Sequence, residues 1–494
     1  MRKSEILFDA VTNVREDLVE GAQRFSFARA RERRLRRLIP TAAGLVLVAG
    51  LGIFLAAGGL RMGAGMGADN GAGSSTAGGS DGGTWDGGAE NGSLADSPEG
   101  PTFTDTAGPI LPLTLAEENE AIAAERTVEI DFAGYGAESS FWFDSYRVAV
   151  SDRYTLTNSA DTDQTVTLLY PMAGELGELE LPAVTVDGER AETELAVGRP
   201  AEAGRIGAAE EWTALLEDSS YRADALDGPE DLSGISAVVY TVSDQYGPGE
   251  SNGETLALEF TYDPAVTTVM QYGFNGMGRE EDGTLESYSA SGFIRGAGDW
   301  TLIVLGEDIQ SPRLQGYRDG GCEAGEEQES VGGTLTRRVT TLEDALRTVA
   351  ADCWTGRTEQ TGSQLPFEVF YAAAADSVLR DTQYLPLLDE FLFPQIWQQD
   401  RVVWTVCEVT IPAGGSVEVT TDYTKAASLN FGPGDMAYKD LCGYELLTLA
   451  GSNLTFTGQT AQVVNLDSSQ VWGGNLHLGE TELVEERYSL YTIQ

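Results

Sequence analysis

The sequence of 494 residues predicts a mainly β region of sandwich or barrel type with a few helices, joined to one transmembrane helix and an N-terminal amphipathic helix. Three observations predict this. From about Thr127 onward, short alternating runs rich in Val, Thr and Tyr are separated by Gly and Asp turns. The uncharged run from Leu38 to Leu60 measures about 34 Å as a helix, enough to cross a hydrocarbon core of about 30 Å. The first 25 residues carry an apolar stripe at helical spacing.

That stripe consists of Leu7, Val11, Val14, Leu18 and Phe25, with Gly21 at the position that would complete it. Arg15, Glu16, Asp17 and Glu20 fall on other faces, so an isolated helix leaves the stripe in water. A partner helix, a second copy or the inner leaflet of a membrane would cover it. The plainer alternative is a helix that only supports the basic flank beside it.

The flank places Arg33, Arg34, Arg36 and Arg37 before the apolar run, against Arg61 just after it. This asymmetry keeps the N-terminus cytoplasmic and puts the bulk of the chain outside the cell membrane. A secretory h-region is shorter, about 7 to 15 residues, so the run 38–60 is expected to be retained as a single-pass anchor. Residues 61–119 are rich in Gly, Ser and Asp and are expected to form a flexible linker spanning roughly 40 Å. A Gly-x-Ser-x-Gly match at Gly78 to Gly82 lacks the flanking strand and helix of a nucleophile elbow and is taken as chance.

The pattern Ile6 to Ala22, followed by the arginine cluster and one span, resembles the cytoplasmic heads of anti-sigma-factor-like single-pass membrane proteins of Gram-positive bacteria. The resemblance covers about the first 60 residues. It implies that Leu7, Val11, Val14 and Leu18 bind a cytoplasmic protein partner such as a sigma factor. The His/Cys metal motif of zinc-containing anti-sigma proteins is not present.

The net charge of −47 is uneven. Residues 1–37 hold ten Lys/Arg against six acids, and the remainder holds 21 against 72. So acidic an outer region repels nucleic acid and anionic lipid. Only Lys425 and Lys439 lie beyond the head, which argues against a Lys-rich anion site.

Within the outer region, Tyr154 to Asn158 and Thr165 to Pro171 flank a polar turn and read as a β-hairpin. Val184 to Arg190 contains the Asp-Gly signal of a tight turn. Further strands are expected at Ala237–Val242, Thr255–Tyr262, Trp300–Leu305, Val402–Ile411, Ser416–Tyr423, Asn453–Thr457 and Arg487–Ile493. The stretch RYTLTNSADTDQTVTLLYPM resembles strands of Ig-like extracellular modules. Helices are expected at Glu210–Glu217 and Thr341–Asp352, the second capped by Thr341. Leu385–Trp397 contains Pro394 and reads as a short broken helix or a loop, its Phe391, Phe393 and Trp397 forming either a binding surface or core. A break near 275–284 suggests two β-rich outer domains, 120–279 and 280–494.

All four cysteines, Cys322, Cys353, Cys407 and Cys442, fall in the last third without metal-ligand spacing. An even count outside the cell fits two disulfides, with neighbours in sequence (322 with 353, 407 with 442) the simplest pairing; four separate buried thiols are the alternative. The single His477 has no marked serine partner, and no nucleotide or zinc-protease motif occurs, so no enzyme activity, cofactor or metal is expected. Asp161 and Asp163, and Glu280, Glu281, Asp282 and Glu286, offer oxygen ligands for Ca²⁺ but read better as solvated turns. The expectation is therefore a membrane-anchored sensor or interaction protein with an unidentified extracellular ligand. A surface-displayed binding or structural module is the alternative.

Overall fold

Alternation builds the strands. In β2 (Ile122–Asp131), Ile122, Ala124, Val128 and Ile130 are buried while Glu125 and Glu129 face water, as a strand packed on one face requires. The computed structural model describes residues 107–133, 147–201, 204–206, 208–229, 231–249, 253–282, 284–294, 298–380, 387–430 and 441–493. Strands and helices are numbered in chain order.

Five sheets organise these residues. The largest runs β22 (Gly479–Glu482), β20 (Thr455–Val464), β2, β3 (Arg147–Asn158), β17 (Ser416–Ala426), β5 (Ala183–Val186) and β6 (Glu189–Arg190). A second comprises β1 (Thr114–Leu115), β4 (Gln164–Glu175), β16 (Asp400–Ile411) and β7 (Glu194–Val197). These two sheets bury Val150, Tyr154, Leu156 and Val419 with Leu168, Tyr170, Val403 and Val409 in one core. Helices α1 (Ala209–Glu217) and α2 (Ser219–Leu226) cover the other face of the second sheet, where Trp212 and Tyr221 pack on Val402 and Trp404.

A third sheet, β10 (Thr267–Tyr272), β13 (Trp300–Gly306), β8 (Ser236–Tyr246) and β15 (Gly332–Thr341), faces a fourth, β11 (Gly276–Asp282), β12 (Leu285–Phe293), β9 (Thr255–Tyr262) and β14 (Gln310–Tyr317). Tyr240, Val242, Leu302 and Val304 meet Leu256, Leu258, Phe260 and Tyr288 between them. The alternate residues Ala237, Val239, Ile303 and Leu305 point the other way, into the core shared with α3 (Leu342–Thr361), α4 (Phe367–Arg380) and α5 (Phe393–Gln398). The fifth sheet is β18 (Leu429–Asn430), β19 (Leu441–Leu447), β23 (Arg487–Ile493) and β21 (Val471–Gly474).

Local signals translate well. Asp187 and Gly188 have φ of 49° and 80°, the left-handed pair that a two-residue hairpin between β5 and β6 demands. Thr341 accepts the backbone N–H of Asp344, and Gly362 ends α3 with φ 73°. This helix runs nine residues past the expected end, and α4 arises from an Ala-rich stretch not anticipated as a helix. Leu388–Leu392 forms a π-turn leading into α5, with Pro394 in its first turn.

Long-range pairing departs from the expectations in three places. The segments 154–158 and 165–171 are strands but not a hairpin, because β3 pairs with β2 and β17 while β4 pairs with β1 and β16. The Asn158 amide donates to the carbonyls of Thr162, Ile411 and Pro412, fastening two neighbouring crossings between sheets. The expected division into 120–279 and 280–494 also fails: position 279 lies inside β11, and β2, β3 and β4 pair with β20, β17 and β16. Apart from Pro264–Val266, the described residues belong to one unit. Finally, residues 107–119, expected to belong to the linker, are part of the folded region, since Ile110, Leu111, Leu113 and Leu115 are buried.

Candidate functional site

The segment Ala107–Leu115, where the Gly-rich stretch meets the folded region, is held along its whole length. Ile110 donates its N–H to the Glu445 carbonyl at 2.8 Å and accepts from Leu447 N–H at 2.9 Å. The Tyr154 hydroxyl accepts from Leu113 N–H at 3.0 Å, and Ser452 Oγ donates to the Leu113 carbonyl at 2.6 Å. Asn453 accepts the N–H of Leu115 and donates to its carbonyl. Four apolar side chains and these bonds make the junction part of the core.

Beneath it lies a buried ionic cluster. The Arg126 guanidinium forks onto Asp152, with Nη2 2.7 Å from Oδ2, and also donates to the carbonyls of Leu111 and Leu447. Tyr154 and Tyr170 donate to the same carboxylate at 2.7 and 3.1 Å, and the Tyr423 hydroxyl lies 3.1 Å from that of Tyr170. Burial by itself disfavours the charged guanidinium, but the Asp152 charge outweighs it and raises the Arg126 pKa. Burial pushes the Tyr154 and Tyr170 phenols well above their usual value, so they stay protonated donors.

Lys425 stands at the edge of this cluster, buried at the end of β17. Its Nζ donates to the carbonyls of Gly108 and Ala426, and Ser428 Oγ adds a second bond to Gly108 at 3.3 Å. A recess of about 20 Å³, room for about one water, is lined by Ala107, Pro109, Glu178, Glu180 and Tyr423 beside it. Burial lowers the Lys425 pKa to about 7, with Glu445 opposing and Arg147 reinforcing the fall. Gly108 fits because a Cβ there would come within 2.4 Å of the Ala173 carbonyl oxygen.

The sequence-level candidates are distributed differently. Leu7, Val11, Val14, Leu18, Arg33, Arg34, Arg36, Arg37 and the span 38–60 lie outside the described residues. Among the described residues no helix is long and apolar enough to cross a membrane. The four cysteines fall on different elements: Cys407 on β16 and Cys442 on β19, which belong to different sheets, Cys353 on α3, and Cys322 in a turn with φ 49°. Burial raises Cys353 to about 12 and Cys407 to about 11, which makes both poor nucleophiles. Phe393 and Trp397 are core, and only Phe391 reaches solvent.

His477 is exposed in a loop between β21 and β22 rather than on a strand. Asp161 is exposed at a turn, and the Asp163 carboxylate accepts the N–H of Ala413. Glu280, Glu281 and Asp282 lie on β11, and Glu286 on β12 pairs with Arg279 and accepts from Tyr262. Among the described residues no group of three His, Cys, Asp or Glu could hold a metal ion.

Arg126, Asp152 and Lys425 were not singled out by sequence reasoning, although a signal existed. Each occupies an inward position of an alternating strand: Ile122, Ala124, Arg126, Val128; Val148, Val150, Asp152, Tyr154; Val419, Thr421, Tyr423, Lys425. A charge in the buried phase of such a pattern must be paired or perturbed.

No protein-family model and no curated protein matches the chain. Among solved structures, a mutant M1 zinc metallopeptidase from Deinococcus radiodurans aligns over 48% of this chain and 55% of its own at 12% identity, with a TM-score of 0.10. The chain thus spans about half the length of that structure, and so low a score carries no argument.

Proposed function

We propose that this chain is a single-pass membrane-anchored sensor or interaction protein, its β-rich region outside the cell and its amphipathic head inside, where it captures a partner in the manner of anti-sigma proteins. The supporting observation is the firm seating of Ala107–Leu115, directly after the Gly-rich stretch: a module tied to a membrane by a slack linker needs a fixed point of attachment. The face-to-face sheets fit Ig-like interaction modules that display loops to a ligand. Leu7, Val11, Val14 and Leu18 form the capturing stripe, and Arg33, Arg34, Arg36 and Arg37 orient the span.

A second reading is a surface-displayed binding module for which the head is only an anchor. The exposure of Tyr246 and Phe293 on the outer region favours it. Immunoprecipitation of the full-length chain in mild detergent separates the two. Recovery of a sigma factor, abolished by Leu7→Asp, Val14→Asp and Leu18→Asp together, supports capture. Absence of any cytoplasmic partner overturns capture and leaves the display module.

A further inference from the structure

The Lys425 ammonium group is enclosed by carbonyls rather than by a counter-ion. Charged groups face it from each packed element, yet the carboxylates are already engaged. Glu178 and Glu180, across the recess, hold Arg147 of β3. Glu445 of β19 holds Arg487 of β23, which also reaches Glu210. Tyr423, on the same strand as Lys425, is turned to Tyr170. Among the described residues, Nζ has only the Gly108 and Ala426 carbonyls as hydrogen-bond partners.

The recess is closed on one side by Ala107 and Pro109. Lifting these residues away would open Lys425 to water, and hydration favours the charged amine far more than the neutral one. The two states of the segment therefore bind protons unequally.

We propose that Ala107–Pro109 is a pH-dependent strap over Lys425, seated firmly while the amine is neutral and released more often once it is charged. The sign follows from linkage. Burial holds the seated lysine at about 7, against an ordinary value of 10.5, so the released state carries more protons between those limits. Seating strengthens as pH rises from 7 toward 10 and is level below 7. Acidification from about pH 9 toward 7 would therefore loosen the segment, and further acidification would not. The inference goes beyond the anchoring reading and stands if that reading falls.

Hydrogen exchange on the full-length chain in detergent, followed at residues 107–113 and expressed as protection factors from pH 6 to 9, tests it. Protection should rise up to roughly tenfold per pH unit above 7 and be flat below. Lys425→Met should abolish the rise while keeping high protection at pH 6. Ser428→Ala, which removes a bond to Gly108 but no titrating group, should lower protection by one factor at every pH and keep the rise. A flat wild-type profile, an unchanged rise in Lys425→Met, or loss of the rise in Ser428→Ala would overturn the strap.

Discussion

Arg126 and Arg401 are both wholly buried arginines on neighbouring sheets, and they differ in what surrounds them. Arg126 has a bidentate carboxylate, two backbone carbonyls and a ring of tyrosines. Arg401 donates only from Nη2, to Gln399 at 3.4 Å, while Nε and Nη1 make no hydrogen bond. Burial pulls Arg401 down to about 10, partly offset by Tyr221 and Asp400, whereas Arg126 is raised. Lys425 resembles Arg401 in lacking a carboxylate of its own. A buried cation that is fully paired fastens elements together; one that is not becomes a place where protons or conformations can shift.

The largest effect is expected at Asp152. Asp152→Asn leaves Arg126 charged without its counter-ion and should cost about 3–5 kcal/mol, read from the urea midpoint at constant slope. The double variant Arg126→Met with Asp152→Asn should recover part of that loss; a purely additive double would show that the two side chains act independently.

Arg401→Met should cost far less than Asp152→Asn, because it removes a buried charge that has few hydrogen bonds and that Asp400 and Tyr221 offset only in part. Destabilisation of the size seen at Asp152 would mean that Arg401 has a strong partner after all, and the contrast would collapse. At Lys425 the sign is again set by a folded pKa below the unfolded one. The Lys425 contribution to stability, read as the difference between wild type and Lys425→Met, should climb by up to about 1.4 kcal/mol per pH unit from 7 toward 10 and be level below 7, while the raised Cys353 and Cys407 thiols act equally in both proteins. The smallest effect is expected from Tyr423→Phe, which removes one hydroxyl contact at the rim of the Arg126 cluster and should cost about 0.5–1.5 kcal/mol. A larger loss would extend the paired network to β17.

Much of the local structure was legible. β9 and β23 occupy the residues expected of them, and the Asp187-Gly188 turn forms as its dipeptide indicates. The α3 cap at Thr341 was legible for the same reason, a side chain bonding to a backbone three residues away. The candidate site was not, because Lys425 meets Gly108 across 317 residues and Arg126 reaches Leu447 across 321. Helix α4 was overlooked although Phe370, Ala373, Ala374 and Ser377 mark one face, since its nearly all-apolar composition hides the stripe.

By itself the sequence determined that the region is built of strands, the place of several of them such as β9 and β23, which of their residues turn inward, and how acidic the region beyond residue 37 is. Those properties depend on neighbours one to four positions apart. Only the tertiary structure decided that β3 and β4 part into different sheets, that β11 bridges a supposed boundary, and that the residues after the Gly-rich stretch are core. Alternation states that a strand has a buried face but not which strand will cover it. That choice belongs to pairings between distant segments, whose cost in loop closure grows slowly with separation and leaves no mark on the local pattern.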